Sequence, residues 1–193
     1  MTQFERPQFD EIDAWGLTHQ GKVRSENQDH FFVGALARGV TVDATSVTDH
    51  DRDVLLPERL ASLGIVADGV GSTAGGAVAA RLAVRDLIAA VSRSFYDADR
   101  AEGHDPGVFS RLLNEAALSC HETLLQKSEQ EGGIRFATTL TLFLGLWPHA
   151  YLLQVGDSRC YIYKDDRLTQ ISRDQTLAEE LVANGTLTRS AAE

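Results

Sequence analysis

The stretch "SLGIVADGVGSTAGGAVAARLAVRDLIAA", Ser62 to Ala90, sets the problem. An apolar run from Leu63 to Ala67 reads as a short strand over 62–67 and ends on Asp68. Glycines follow at 69, 71, 75 and 76, and then Val78, Leu82, Leu87, Ile88 and Val91 recur at helical spacing. Strand, glycine loop and helix in this order admit two chemistries. Gly69 to Ala74 matches the G-x-G-x-x-A pattern that seats a pyrophosphate, with Asp86 where a ribose-binding acid can stand. Against it, Asp68 would set a carboxylate against the pyrophosphate, and a second helix follows where a parallel strand is required. The other chemistry is a metal site. A strand end holds a carboxylate rigidly, and an adjacent glycine lets a backbone carbonyl approach a hard cation.

Working outward, residues 12–20, 30–36 and 39–47 read as strands, with a turn at Arg38–Gly39, and the charged segment 48–60 with Pro57 reads as an exposed loop. The helix after Gly75 runs to about Tyr96, and Asp97 to Gly107 break it. A second helix spans 107–130, with Val108, Leu112, Leu113, Ala116 and Leu124 on one side and glycines at 132 and 133 ending it. Strands are expected at 137–147, 149–156 and 159–166. Another follows a turn at Asp165–Asp166, and a short helix over 176–184 is capped by Gly185. Strands, two helices, then strands is not a βαβ alternation. It predicts an α+β fold of antiparallel sheet with helices outside. Residues 1–11 read as a loose terminus and 12–193 as one domain.

Composition narrows the function. Of 193 residues, 18 are Lys or Arg and 28 are Asp or Glu, a formal net charge of −10, which disfavours nucleic acid as a partner. Acid surplus also serves solubility alone. No apolar run approaches the roughly 18 residues a membrane span needs. The first residues, "MTQFERPQFDEIDAW", lack the basic and apolar regions of a signal peptide. Two cysteines, Cys120 and Cys160, give neither a disulfide framework nor a zinc motif, which fits the cytoplasm.

Three acids stand at strand boundaries: Asp29 in "VRSENQDHF", Asp68 in "ADG" and Asp157 in "VGDSR". Each taken singly is a common turn or capping residue. Together they form a candidate oxygen-ligand set for Mn²⁺ or Mg²⁺. Arg24, five residues before Asp29, has the two-pronged guanidinium that holds phosphate, although a surface arginine needs no such role.

The ordered set "HQGKVRSENQDHF" (19–31), "VADGVGSTAGG" (66–76), "ATTLTLFLG" (137–145) and "VGDSRCYIYKDDRLTQISRDQTLAEELVANGTLT" (155–188) resembles the bacterial type 2C metal-dependent protein phosphatases, the PPM family, over about 14–189. The resemblance implies an antiparallel β-sandwich flanked by helix pairs, an α-β-β-α four-layer fold. It also implies two Mn²⁺ or Mg²⁺ ions at one edge of the sandwich. By position, Asp68 matches the acid bridging both ions, Gly69 a carbonyl ligand, Asp29 a carboxylate on the second ion and Arg24 the phosphate-holding arginine. Asp157 matches the acid tied to a third, weaker ion. Residues 165–189 resemble the region around a flap bordering the cleft. The implied reaction is hydrolysis of phosphoserine or phosphothreonine in protein substrates by a metal-activated water, with no cysteine or serine nucleophile.

The sequence departs from the family pattern at three places. Thr73 stands where the family has a histidine near the leaving group, so an alkoxide must take its proton from water or another donor. His19 and His30 are near in sequence, and slower turnover of phosphoserine than of aryl phosphates is expected. Ala77 replaces an acid. The family's later "SDG" and "DN" segments, each supplying a metal aspartate, do not occur before Glu193. The expectation is therefore the N-terminal three-quarters of a phosphatase domain, incomplete at its C-terminus. The alternative is a non-catalytic, phosphoprotein-binding or signalling module of the same fold.

Overall fold

The computed structural model describes residues 7–39, 57–71, 74–100, 106–188 and 191. A 3₁₀ turn at Phe9–Glu11 opens it, the Gln8 N–H donating to Glu11 Oε2 at 2.7 Å. Strands β1 (Asp29–Arg38) and β2 (Glu58–Asp68) follow, then helices α1 (Ala74–Arg100) and α2 (Pro106–Gln130). Strands β3 (Leu140–Leu146), β4 (His149–Val155), β5 (Tyr161–Lys164) and β6 (Arg167–Gln170) come next, and helix α3 (Leu177–Ala183) last. The first four strands form one antiparallel sheet in the order β1-β2-β3-β4, and β5 and β6 form a separate hairpin.

Period-two alternation divides the sheet into two faces. One face carries Phe32, Leu36, Leu63, Ile65, Ala67, Leu140, Leu142, Leu144 and Leu146, and it packs on α1 and α2 through Val84, Leu87, Val91, Phe95, Phe109 and Leu113. Leu87, Leu142 and Leu144 are fully buried, each worth about 1.5–3 kcal/mol of burial. A smaller cluster of Ala79, Leu82, Ala83, Cys120, Leu124 and Phe136 joins the two helices beside it. The opposite face presents Phe31, Val33, Val66 and Phe143, all partly exposed. The α+β antiparallel layer fold expected from the sequence is present. The described residues supply one sheet with one helix pair.

Several boundaries differ from the sequence reading. Residues 12–20 make no strand: they run unpaired across the second face, where Gly16 lies against the Phe31 ring and Trp15 and Leu17 stay exposed. Alternation without a partner edge does not make a strand. The loop expected over 48–60 stops earlier, because Glu58, Arg59 and Leu60 belong to β2. There Arg38 pairs with Glu58 at 2.7 Å, and a bulge at Leu36/Ala37 admits the extra residue. The expected strand 39–47, beyond Gly39, and the loop over 48–56 lie outside the described residues. Helix α1 continues past Tyr96 to Arg100, and α2 starts at Pro106, a residue suited to a first helical turn. The strand expected over 137–147 begins only at Leu140, and that expected over 159–166 is confined to Tyr161–Lys164. Asp165 and Asp166 do form the turn, both with positive φ (50° and 57°), as a two-residue hairpin of type I′ requires.

Candidate metal and phosphate site

The register of β1 and β2 places Asp29 directly opposite Asp68 at one end of the sheet. Directly opposed residues on antiparallel strands hold their Cβ atoms about 4.5–5.5 Å apart, and like charges there repel. The two carboxyls are within hydrogen-bonding reach of each other. Partial burial, the charge of Asp29, the hydrogen bond with Asp29 and then the charge of Asp157 hold the Asp68 carboxyl above the ordinary carboxylate range. Arg24 alone acts the other way.

Local sequence builds this end. Asn27 donates from Nδ2 to Thr18 Oγ1 at 2.7 Å and accepts the Asp29 N–H on Oδ1 at 3.0 Å. One amide thus closes the loop 18–27 onto the first residue of β1. That loop carries Arg24 and His19 to the wall of a cavity of about 220 Å³ that Asp29, Asp68 and Gly69 also line. The His19 Nδ1 accepts the Gly21 N–H at 2.9 Å, so a neutral ring carries its proton on Nε2. His30, one residue beyond Asp29, falls on the opposite face of the sheet by strand alternation.

Gly69 is a glycine for a reason the sequence does not display. A Cβ there would lie 2.4 Å from the carbonyl carbon and oxygen of Gly76, so the strand end and the first turn of α1 touch backbone to backbone. Its N–H donates to the Gln28 carbonyl at 3.3 Å. Gly71, by contrast, needs its freedom for φ of +122°.

Asp157 stands on the turn after β4, beyond Gly156 with φ of +100°. Its charge reaches Asp68, but among the described residues no three His, Cys, Asp or Glu side chains gather closely enough to hold a metal ion. The structure therefore brings Arg24, Asp29, Asp68 and Gly69 to one cavity and leaves Asp157 at its margin. Thr73 lies outside the described residues. Cys120 is not prepared for thiol chemistry: burial, helped by the Asp86 charge, pushes its thiol up to about 11.

The donor set fits a divalent cation. Two opposed carboxylates, one with its proton affinity raised by burial and by the other, are a hard-oxygen pair whose charge Arg24 opposes. Sequence reasoning missed Asn27 and Gln28, the residues that tie the loop down. The only available signal was their place immediately before an acid.

A four-stranded antiparallel sheet with a helix pair on one face, and acids at its strand ends, defines an α+β layer protein with a candidate cation site at one end of the sheet. A sequence profile described as "Protein phosphatase 2C" matches residues 43–190, and the chain belongs to that family. The serine/threonine protein phosphatase PstP of Mycobacterium tuberculosis is 30% identical over 170 residues, which are 88% of this chain and 26% of that protein. The crystal structure of the M. tuberculosis PstP/Ppp phosphatase superposes with a TM-score of 0.63 at 27% identity, over 91% of this chain and 60% of that one. The catalytic domain of PstP in complex with two manganese ions gives 0.59 at 25% identity, over 91% and 61%. The chain thus spans about a quarter of the PstP sequence and about three-fifths of these solved chains. No helix among the described residues is long and apolar enough to cross a membrane.

Proposed function

We propose that the chain carries the phosphate- and metal-binding half of a serine/threonine protein phosphatase that acts on phosphoproteins in the cytoplasm. The observation that carries this reading is the opposed Asp29–Asp68 pair sharing one cavity with Arg24. Asp29, Asp68 and the Gly69 carbonyl hold two Mn²⁺ or Mg²⁺ ions, and Asp157 attends a third. Bound there, divalent cations supply Lewis acidity and a water of lowered pKa. Arg24 grips two phosphoryl oxygens through its guanidinium fork and orients the phosphorus over the acids. With threonine at position 73, the proton for the departing serine or threonine oxygen comes from His19 Nε2.

The test is hydrolysis of p-nitrophenyl phosphate by the full chain in Mn²⁺, beside Asp68→Asn. Loss of about a hundredfold or more in the variant is expected, the scale of removing one electrostatic element from a transition state. Equal activity would remove Asp68 from the site. A second reading, a phosphoprotein-binding module without turnover, draws on the gathering of only two close acids among the described residues. It predicts phosphopeptide binding with no Mn²⁺-dependent release of phosphate.

A further inference from the structure

The geometry points to Thr139 as the positioning residue that fixes the Asp157 turn against the strand end carrying Asp68. The inference rests on the metal-site reading above for its functional meaning, and on hydrogen-bond geometry for its existence.

Regular pairing of β2 with β3 ends at Val66 and Thr141. Two residues further along β2, the Asp68 N–H is taken by a side chain, Thr139 Oγ1 at 3.1 Å. The Asp68 carbonyl accepts the Thr139 N–H at 2.8 Å and the Thr138 hydroxyl at 2.8 Å. Asp68 is thereby gripped through both its backbone groups. The same Thr139 Oγ1 shares a hydrogen bond of 2.9 Å with Ser158 Oγ, the residue after Asp157. The Thr139 methyl is used as well. A Cβ on Gly156 would meet Thr139 Cγ2 at 2.8 Å and Thr139 Cβ at 2.9 Å, so the residue before Asp157 is seated on that methyl.

Both γ substituents of Thr139 therefore hold the turn, and the residue is only 7% exposed. Valine keeps the seat and loses the bridge, whereas serine keeps the bridge and loses the seat. From the other side, Gln154 Nε2 donates to the Gly156 and Ser158 carbonyls at 3.1 and 3.2 Å. Gln175 Oε1 accepts the Gly156 N–H at 3.1 Å. The turn is clasped from two directions, while Asp157 itself stays exposed and its charge reaches Asp68. Thr139 is the one side chain in this clasp that also bonds to Asp68.

The test uses the full chain with Thr139→Val, Thr139→Ser, Ser158→Ala and the Val/Ala double variant. Amide hydrogen exchange of the metal-free protein reads the coupling directly. Ser158→Ala should speed exchange at the Asp68 amide about two- to fivefold, the scale of one net hydrogen bond. Thr139→Val should do the same at 156–158 and, by removing the acceptor, at Asp68, whereas Thr139→Ser keeps that acceptor and leaves the Asp68 amide near the parent. Mn²⁺ titration then reads the consequence: each of Thr139→Val and Ser158→Ala weakens binding several-fold, and the double variant binds no worse than Thr139→Val alone. Acceleration spread evenly over the sheet, an unchanged Asp68 amide in Ser158→Ala, or additive losses of Mn²⁺ affinity would each overturn the assignment. Should the parent and Asp68→Asn take up Mn²⁺ equally, the metal reading fails. The exchange pattern alone then decides whether Thr139 couples the two segments.

Discussion

At the residue scale, Asp68 stands where its charge costs stability. Its carboxyl is held above the usual range by partial burial and by the charge and hydrogen bond of Asp29. For an acid with a raised folded-state pKa, folding is favoured below the unfolded value, and that advantage is lost as pH rises through the folded value. Above the folded value the metal-free protein therefore carries the cost of burying the Asp68 charge and of setting it beside Asp29. Metal-free Asp68→Asn should melt higher than the parent at pH 7–8, and the gap should close as pH falls toward the carboxylate range. Saturating Mn²⁺ should reverse the order, because a ligand that binds only the folded parent stabilises it. Thermal melts with and without chelator read both. His19 makes a second prediction. His19→Gln should lower kcat/KM for a phosphothreonine peptide about a hundredfold, within the range for a general acid, and leave p-nitrophenyl phosphate nearly unchanged because its leaving group needs no proton. Equal losses on both substrates would assign His19 to binding instead.

At the scale of elements, the helices hold the sheet that holds the acids. Phe109 of α2 stacks at a tilt on Phe95 of α1, 5.9 Å between centroids, and on Tyr151 of β4, 5.6 Å. One ring thus joins both helices to the strand that leads into the Asp157 turn. Phe109→Ala should cost about 3–5 kcal/mol in urea unfolding, as large-to-small changes in a packed core do. The helical stripe was legible in part: Leu82, Leu87, Val91, Leu113, Ala116 and Leu124 are buried as their spacing predicts. Phe109 and Cys120, also buried, are missing from the stripe read on α2, because an aromatic or a cysteine marks no face until its partners are known. The strand reading was reliable where a run ended on a turn signal, as at Asp165–Asp166. It failed at 12–20, where the alternating residues find no strand beside them.

For the whole molecule, the two faces of the sheet differ in kind. The helix-covered face is closed. The other presents Phe31, Val33, Val66 and Phe143, each 37–46% exposed, beside a cavity of about 440 Å³ that Trp15 and Leu17 also line. The site sits at the end of the sheet where both faces meet the loops, so Asp68 is reached from β2, Arg24 from the segment before β1, and Asp157 from the turn after β4. That convergence follows from strand order and register.

The sequence by itself determined the α+β class and the strand and helix segments with strong periodicity, because patterning and local turn chemistry act over a few residues, and it offered the acids and Arg24 as candidates through their strand-boundary positions and the family resemblance. Tertiary structure alone decided that Asp29 faces Asp68, that His19 and not His30 reaches the cavity, that Gly69 is small to admit Gly76, and that Thr139 clasps the Asp157 turn. Each of those facts joins residues far apart along the chain or depends on how strands register. A one-residue slip would turn the whole set to the other face.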